Sequence, residues 1–363
     1  MYMYYGKLYL FGGLPEKRHE KQVKIKRRAW INIMKIILDV MGGDKDVSEF
    51  VRGAVMAKAE YGADIVLVGD ETKIKEALAQ ENTKEAFEIV HTSDVITMED
   101  NPLSIRREHR GCSMATALRM LAGGEGDAVV SAGNTGALFI GATGYVHCAE
   151  GVRRAALASI IPMEKPLLLL DCGANAEVTP EFLVQFAHLG SIYMNRVMGV
   201  EMPRVGLLNN GAEAHKGTPI YKEAHALLTK AEGIRFVGNI EGKDVPFDKC
   251  DVLVCDGFTG NILLKTIEGT SKFVMKQFSG IFSGAFGKLA GAMVLRKAKA
   301  LKKRFDAKEY GGAPFLGISK PVIKAHGNSD AKAVKNAIRQ AIAYVRTGVI
   351  SEIEALVAES PAQ

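Results

Sequence analysis

Four stretches of this chain carry the residue types that hold an anion. Val129-Val130 leads into Ser131-Ala132-Gly133-Asn134-Thr135-Gly136. Leu168 to Leu170 leads into Asp171-Cys172-Gly173-Ala174-Asn175. Gly206-Leu207-Leu208 leads into Asn209-Asn210-Gly211-Ala212-Glu213, with Lys216-Gly217 close behind. Val252 to Val254 leads into Cys255-Asp256-Gly257-Phe258-Thr259-Gly260-Asn261. Each is an apolar run, then a turn of Gly, Asn, Asp and Thr, then usually a helical pattern. Glycine lets backbone approach a ligand, and the free N–H groups of a following helix point at it. Asn and Thr add neutral hydrogen bonds, and Lys216 would supply the full positive charge a phosphate needs.

One such turn is common punctuation. Four at similar strand ends point to a phosphate site, with Lys216 and Asn261 as its central residues. Asn134, Thr135, Gly136, Gly173, Asn175, Asp256 and Thr259 are its supporting residues. A fifth segment, Lys324-Ala325-His326-Gly327-Asn328, could bring His326 to the same place or merely fold it into a turn.

Other chemistries lose their main support. There is no G-x-G-x-x-G after the first strand, no P-loop and no G-x-S-x-G elbow. The five cysteines, at 112, 148, 172, 250 and 255, form no C-x-x-C pair. Cys172 and Cys255 sit at strand ends, yet a free cysteine among apolar residues is usually a small buried hydrophobe. Unpaired thiols of this kind fit a reducing cytoplasm.

The elements that must position these loops alternate. KIILDV, opening just after Met34, reads as a strand, and SEFVRGAVMAKAEYG as a helix with Phe50, Val51, Ala54, Val55 and Ala59 on one face. ADIVLVGD and ETKIKEALAQE repeat the pair, and the four loop-bearing strands continue it. Near-continuous apolar strands between helices predict a three-layer α/β/α fold with a mostly parallel sheet. In such a sheet the loops gather at the carboxyl edge, where ligands bind at the switch point.

Charge is unevenly placed. The chain has 363 residues and a formal net charge of +6. Residues 1–33 carry eight basic side chains against Glu16 and Glu20, which accounts for the whole surplus. They read as a basic extension outside the fold, and 34–363 as one neutral catalytic domain, which argues against a nucleic-acid partner. No stretch approaches the ~20 apolar residues of a spanning helix. Within the neutral body, residues 269–305 contain nine basic residues and no acidic one. There Phe282, Phe286, Leu289 and Met293 share a helical face, with Arg296 and Lys297 beyond, so the segment could meet anionic lipid, an acidic protein or another helix.

Taken in order, MKIILDVMGGDK, VSAGNTGAL, LLLLDCGANAEVTPEFLVQFAHLG, RVGLLNNGAEAHKGTP, DVLVCDGFTGNILLKTIEG, YGGAPFLG and IKAHGNSDAKAVKNAI resemble the bacterial phosphate acyltransferase (PlsX) family over roughly residues 34–350. The resemblance implies transfer of a long-chain fatty acyl group from acyl carrier protein to inorganic phosphate, giving acyl phosphate for phospholipid synthesis. It implies a fold like phosphotransacetylase and isopropylmalate dehydrogenase, a homodimer, and no metal or organic cofactor. It also implies a cytoplasmic protein peripheral to the membrane, feeding a membrane glycerol-phosphate acyltransferase. Departures from the family pattern fall at 107–113, at 151–156 and around Lys216, where carrier or acyl contacts would vary. The competing readings are a short-chain phosphate acyltransferase, a related-fold dehydrogenase, and a non-catalytic membrane or nucleic-acid binder.

Overall fold

The computed structural model describes residues 34–281 and 309–359. The basic extension at 1–33, and Phe282, Phe286, Leu289, Met293, Arg296 and Lys297, lie outside the described residues.

The strands are short and apolar, and most are buried on both faces. In chain order they are β1 (Lys35–Asp39), β2 (Asp64–Gly69), β3 (Glu88–His91), β4 (Ala128–Ser131), β5 (Ala156–Pro162), β6 (Pro166–Leu170), β7 (Arg204–Asn209), β8 (Arg235–Glu241), β9 (Val252–Val254), β10 (Ala313–Leu316) and β11 (Val322–Lys324). They form one sheet in the order β3-β2-β1-β4-β11-β10-β5-β6-β9-β7-β8. The helices are α1 (Val47–Tyr61), α2 (Glu71–Gln80), α3 (Ser113–Ala122), α4 (Thr135–Gly141), α5 (Pro180–Arg196), α6 (Pro219–Lys230), α7 (Gly257–Ile281), α8 (Ala331–Arg346) and α9 (Val349–Glu359).

The three-layer expectation is borne out. Alternate residues of β1 divide between two cores: Ile36 and Leu38 pack with α1, α2, α5, α6, α8 and α9, while Ile37 packs with α3 and α4. Leu263, Leu264 and Ile267 of α7 lie against this second core. Helix α1 turns Gly53 and Ala57, rather than Ala59, to the interior. The reason is α8: a Cβ on Gly53 would sit 2.6 Å from Val334, so only glycine admits that helix.

Sheet polarity reverses in the middle. β3, β2, β1, β4 and β11 are parallel. β10 runs antiparallel to both β11 and β5, and β5 runs antiparallel to β6. β6, β9, β7 and β8 are again parallel. The carboxyl ends of the two sets therefore leave the sheet at opposite edges. The expected single loop cluster is divided: the 131–136 turn and His326 belong to one set, and the loops at 171–175, 209–217 and 255–261 to the other.

Candidate active site

The second set builds a tightly braced floor. Asp171 is fully buried, and its carboxylate accepts from the backbone N–H groups of Leu157, Gly173, Ala174 and Asn175. It also accepts from the Asn175 amide at 2.7 Å. Burial pushes its pKa up, and these donors work against that shift. Asn175 spends the rest of its side chain on the Ala155 carbonyl and the Arg154 guanidinium. Its own carbonyl accepts from Gly257 N–H at 2.6 Å, which seats the start of α7. Both residues are thus structural couplers between β5, β6 and α7.

Asp256 caps α7. It accepts from the Thr259 N–H and hydroxyl, at 2.8 and 2.7 Å, and from the Tyr221 hydroxyl at 2.5 Å. Tyr221 thereby ties the first turn of α6 to the first turn of α7. Sequence reasoning missed Tyr221; the available signal was the Asp256-x-x-Thr259 spacing, a helix N-cap whose second carboxylate oxygen invites a further donor.

Between these two helix starts lies a cleft of about 660 Å3. Leu208, Ile262 and Leu263 give it apolar wall, while Asn209, Gly217 and Thr218 form its polar side. The start of α6 opens here, and no side chain caps it. Gly217, at φ +93°, leaves no room for a Cβ beside Asn209. Lys216, next in the chain, is exposed, and no ion pair joins it to a described carboxylate. An uncapped helix start, a bare glycine and an unpaired ammonium together make a basin for an anion.

Asn261 is one turn into α7 and exposed. It lies over Gly173, whose φ of +139° excludes other residues and whose missing side chain leaves space 3.8 Å from the Asn261 amide. Lys216 and Asn261 each precede a residue that lines the cleft, Gly217 and Ile262, and Asn261 lies against Gly173.

The other edge differs. Asn134 caps α4 through Ala137 N–H and gives its amide protons to the carbonyls of Thr97, Met98 and Asp100. Thr135 begins α4 as its first residue. Gly136 lies against Pro102, 2.9 Å from where its Cβ would be. Asp39 is buried with the Ser131 hydroxyl at 2.7 Å, and burial raises its pKa to about 6. Lys324, also buried, donates to the carbonyls of Ala132 and Ala325, and burial lowers its pKa to about 8. Sequence reasoning missed this pair; a lysine inside the apolar run Val322–Ala325 was the signal. His326 accepts from Asn328 N–H at 3.2 Å and is held below its ordinary pKa by desolvation and by Lys265 of α7. Helix α7 thus reaches from one edge toward the other.

Cys172 and Cys255 are buried, and burial pushes both thiols far up, so neither is a thiolate nucleophile. Among the described residues no three His, Cys, Asp or Glu side chains converge as a cation cage.

A sequence model described as fatty acid synthesis protein matches residues 34–352. The phosphate acyltransferase of Clostridium novyi (strain NT) is 44% identical over 325 residues, covering 88% of this chain and 98% of that protein. This chain belongs to the phosphate acyltransferase family. The Thermotoga maritima phosphate acyltransferase is 43% identical over 324 residues, covering 88% of this chain and 96% of that protein. Among solved structures, a phosphotransacetylase from Streptococcus pyogenes superposes with TM-score 0.60 at 15% identity, covering 91% of this chain and 99% of that one. A 4-hydroxythreonine-4-phosphate dehydrogenase from Klebsiella pneumoniae gives TM-score 0.52 at 14% identity, covering 86% and 98%. At these identities the two structures speak for the fold alone. Both share with this chain a mostly parallel α/β sheet covered by helices.

Proposed function

We propose that this chain transfers a long-chain fatty acyl group from acyl carrier protein to inorganic phosphate. The observation that carries this reading is the cleft itself, with a polar anion basin on one side and apolar wall on the other. Phosphate is already a competent nucleophile. The protein has only to hold it against the thioester and to stabilise the oxyanion that forms on the acyl carbon.

Lys216 and the open start of α6 hold the phosphate. Its oxygen attacks the thioester carbonyl, and the C–S bond then breaks to release the carrier thiolate. Asn261 donates its amide to the carbonyl oxygen as that oxygen gains charge, over the space left by Gly173. Thr259 lines the same cleft, and Asp256 fixes the α7 start. Gly173 and Asn175 shape the floor, while Asn134, Thr135, Gly136 and His326 belong to the opposite edge and brace the fold there. The acyl chain lies along Leu208, Ile262 and Leu263, and a cleft of this volume suits a long chain over a two-carbon one.

The protein works as a homodimer at the inner face of the membrane and passes acyl phosphate to a membrane glycerol-phosphate acyltransferase. In support, Phe258 at 64% and Phe273 at 61% exposure leave apolar surface on α7 among the described residues, and no described helix is long and apolar enough to cross a membrane.

The test is a turnover assay with palmitoyl carrier protein. Free carrier thiol should appear only when phosphate is present, together with an equal amount of acyl phosphate. Thiol release that ignores phosphate refutes the reading. Preference for acetyl over palmitoyl donors would favour the short-chain alternative.

A further inference from the structure

Gly173, Gly217 and Gly211 all stand in the loops of the candidate site, but not for one reason. Gly173 and Gly217 have φ of +139° and +93°, where a side chain strains the backbone. Gly211 is buried and its φ is not positive, so its backbone would accept a side chain. What stands in the way is side-chain atoms. A Cβ on Gly211 would lie 2.7 Å from Cγ and 3.1 Å from Cδ of Lys216, and 3.1 Å from Oε2 of Glu213. None of these nearest atoms is backbone. The bare face of Gly211 is therefore a groove that the stem of Lys216 crosses.

The backbone that carries this stem is pinned on both sides. Lys216 N–H donates to the Glu213 carbonyl at 3.0 Å, and the same carbonyl accepts from the Asn239 amide at 2.8 Å. Asn239 is buried on β8. The Lys216 carbonyl accepts from the Asn209 amide at 3.2 Å, and Asn209 Oδ1 accepts from Asn210 N–H at 2.8 Å. The turn at 213–216 is thus tied to the ends of β7 and β8, and the first methylenes of Lys216 rest on Gly211. Only the ammonium extends beyond, with no described carboxylate in an ion pair with it.

A lysine is a point charge on a flexible four-carbon stem, and freedom lost on gripping an anion weakens the grip. A stem already laid in a groove has given up part of that freedom before the anion arrives. Its charged head still stays in water.

We propose that Gly211 is a positioning residue for the reaction: its bare face seats the Lys216 stem and so aims the ammonium at phosphate. The inference rests on the role given to Lys216 above and extends it to the residue that aims it. Gly211 acts only through Lys216. A binding group misplaced by about 1 Å is enough to cost on the order of 10²-fold in rate.

The experiment uses the full chain, palmitoyl carrier protein and inorganic phosphate. The variants are Gly211→Ala, Lys216→Ala, the two combined, and Gly211→Ala/Glu213→Ala. The added methyl meets the lysine stem and leaves the backbone as it is. Gly211→Ala should lower kcat/KM for phosphate about tenfold or more, with KM for the acyl donor within twofold of wild type. In the Lys216→Ala background the same change should have no further effect, because the group it moves is gone. The loss should persist when Glu213→Ala is added, since the carboxylate is not the group that matters.

Three results overturn the proposal while Lys216→Ala remains crippled. One is kcat/KM for phosphate within twofold of wild type in Gly211→Ala. Another is a full additional loss in the Lys216→Ala background. The third is recovery of wild-type kinetics on adding Glu213→Ala. A melting temperature more than about five degrees below wild type in Gly211→Ala also overturns it, because the methyl then disturbs more than the stem. Wild-type turnover in Lys216→Ala refutes the role given to Lys216 in the proposed function, and this inference with it.

Discussion

The two carboxyl edges of this sheet begin from the same design and end in different states. Both have apolar strands that run into Gly- and Asn-rich turns and then helices. At the β1–β4–β11 edge the polar side chains are consumed internally: Asn134 on three carbonyls, Asp39 on Ser131, Lys324 on Ala132 and Ala325. At the β6–β9–β7 edge, Asp171, Asn175 and Asp256 are equally consumed, but Lys216 and Asn261 stand exposed beside the cleft. Residue type at a strand end therefore does not distinguish a binding group from a brace. What distinguishes them is whether the fold has already claimed the donors and acceptors.

The sharpest way to break that contrast is to remove the uncommitted pair. Lys216→Ala and Asn261→Ala should each lower kcat by about 10²- to 10³-fold, with the melting temperature within a degree or two of wild type. A variant that keeps a tenth of wild-type turnover would place its residue among the braces. Asp171→Ala should do the reverse. It strips a common acceptor from four backbone N–H groups in a dry site, and should cost about 3–5 kcal/mol in urea unfolding.

The Asp39 carboxyl sharpens the comparison through pH. Its folded pKa of about 6 lies above the ordinary 3.8, so protonation favours the folded state. Its stabilising contribution is complete below about pH 4 and is lost as pH rises to about 6, by an amount on the order of 3 kcal/mol. Urea titrations at pH 4 and 6 should show this component in the wild type and not in Asp39→Asn. The smallest effect expected is from Asn134→Ala, about 1–3 kcal/mol of stability, with KM for phosphate within twofold of wild type. A large rise in that KM would return Asn134 to the anion site.

Much of the fold was readable because apolar runs buried on both faces have few other uses. The strands β1 and β2, the helices α1 and α2 that follow them, and the three layers follow from that pattern. The reversal of polarity did not. β5 and β10 are apolar, and periodicity is blind to strand direction, so loops expected at one edge divide between two. The floor was half legible: Asp171, Gly173 and Asn175 sit together in sequence, but the partners Ala155, Leu157 and Arg154 come from another strand and its approach. The role of Asn134 was hidden for a related reason. Its carbonyl partners lie more than thirty residues upstream, in a segment with no regular pattern of its own.

The nesting of β11 has a consequence for biosynthesis. Its register partner on β4 was made nearly two hundred residues earlier, and α8, which follows it, packs along α1 and receives Glu49 on Ala331 N–H. On the ribosome, the N-terminal half-sheet therefore emerges with the outer side of β4 bare and the helix α1 half covered. It waits in that state while the entire β5–β9 half is made. Contacts of such long sequence separation form late, and a bare apolar strand invites mispairing. The last fifty residues are thus a closing clasp, and a chain cut short before residue 320 would expose that strand rather than merely lose a tail.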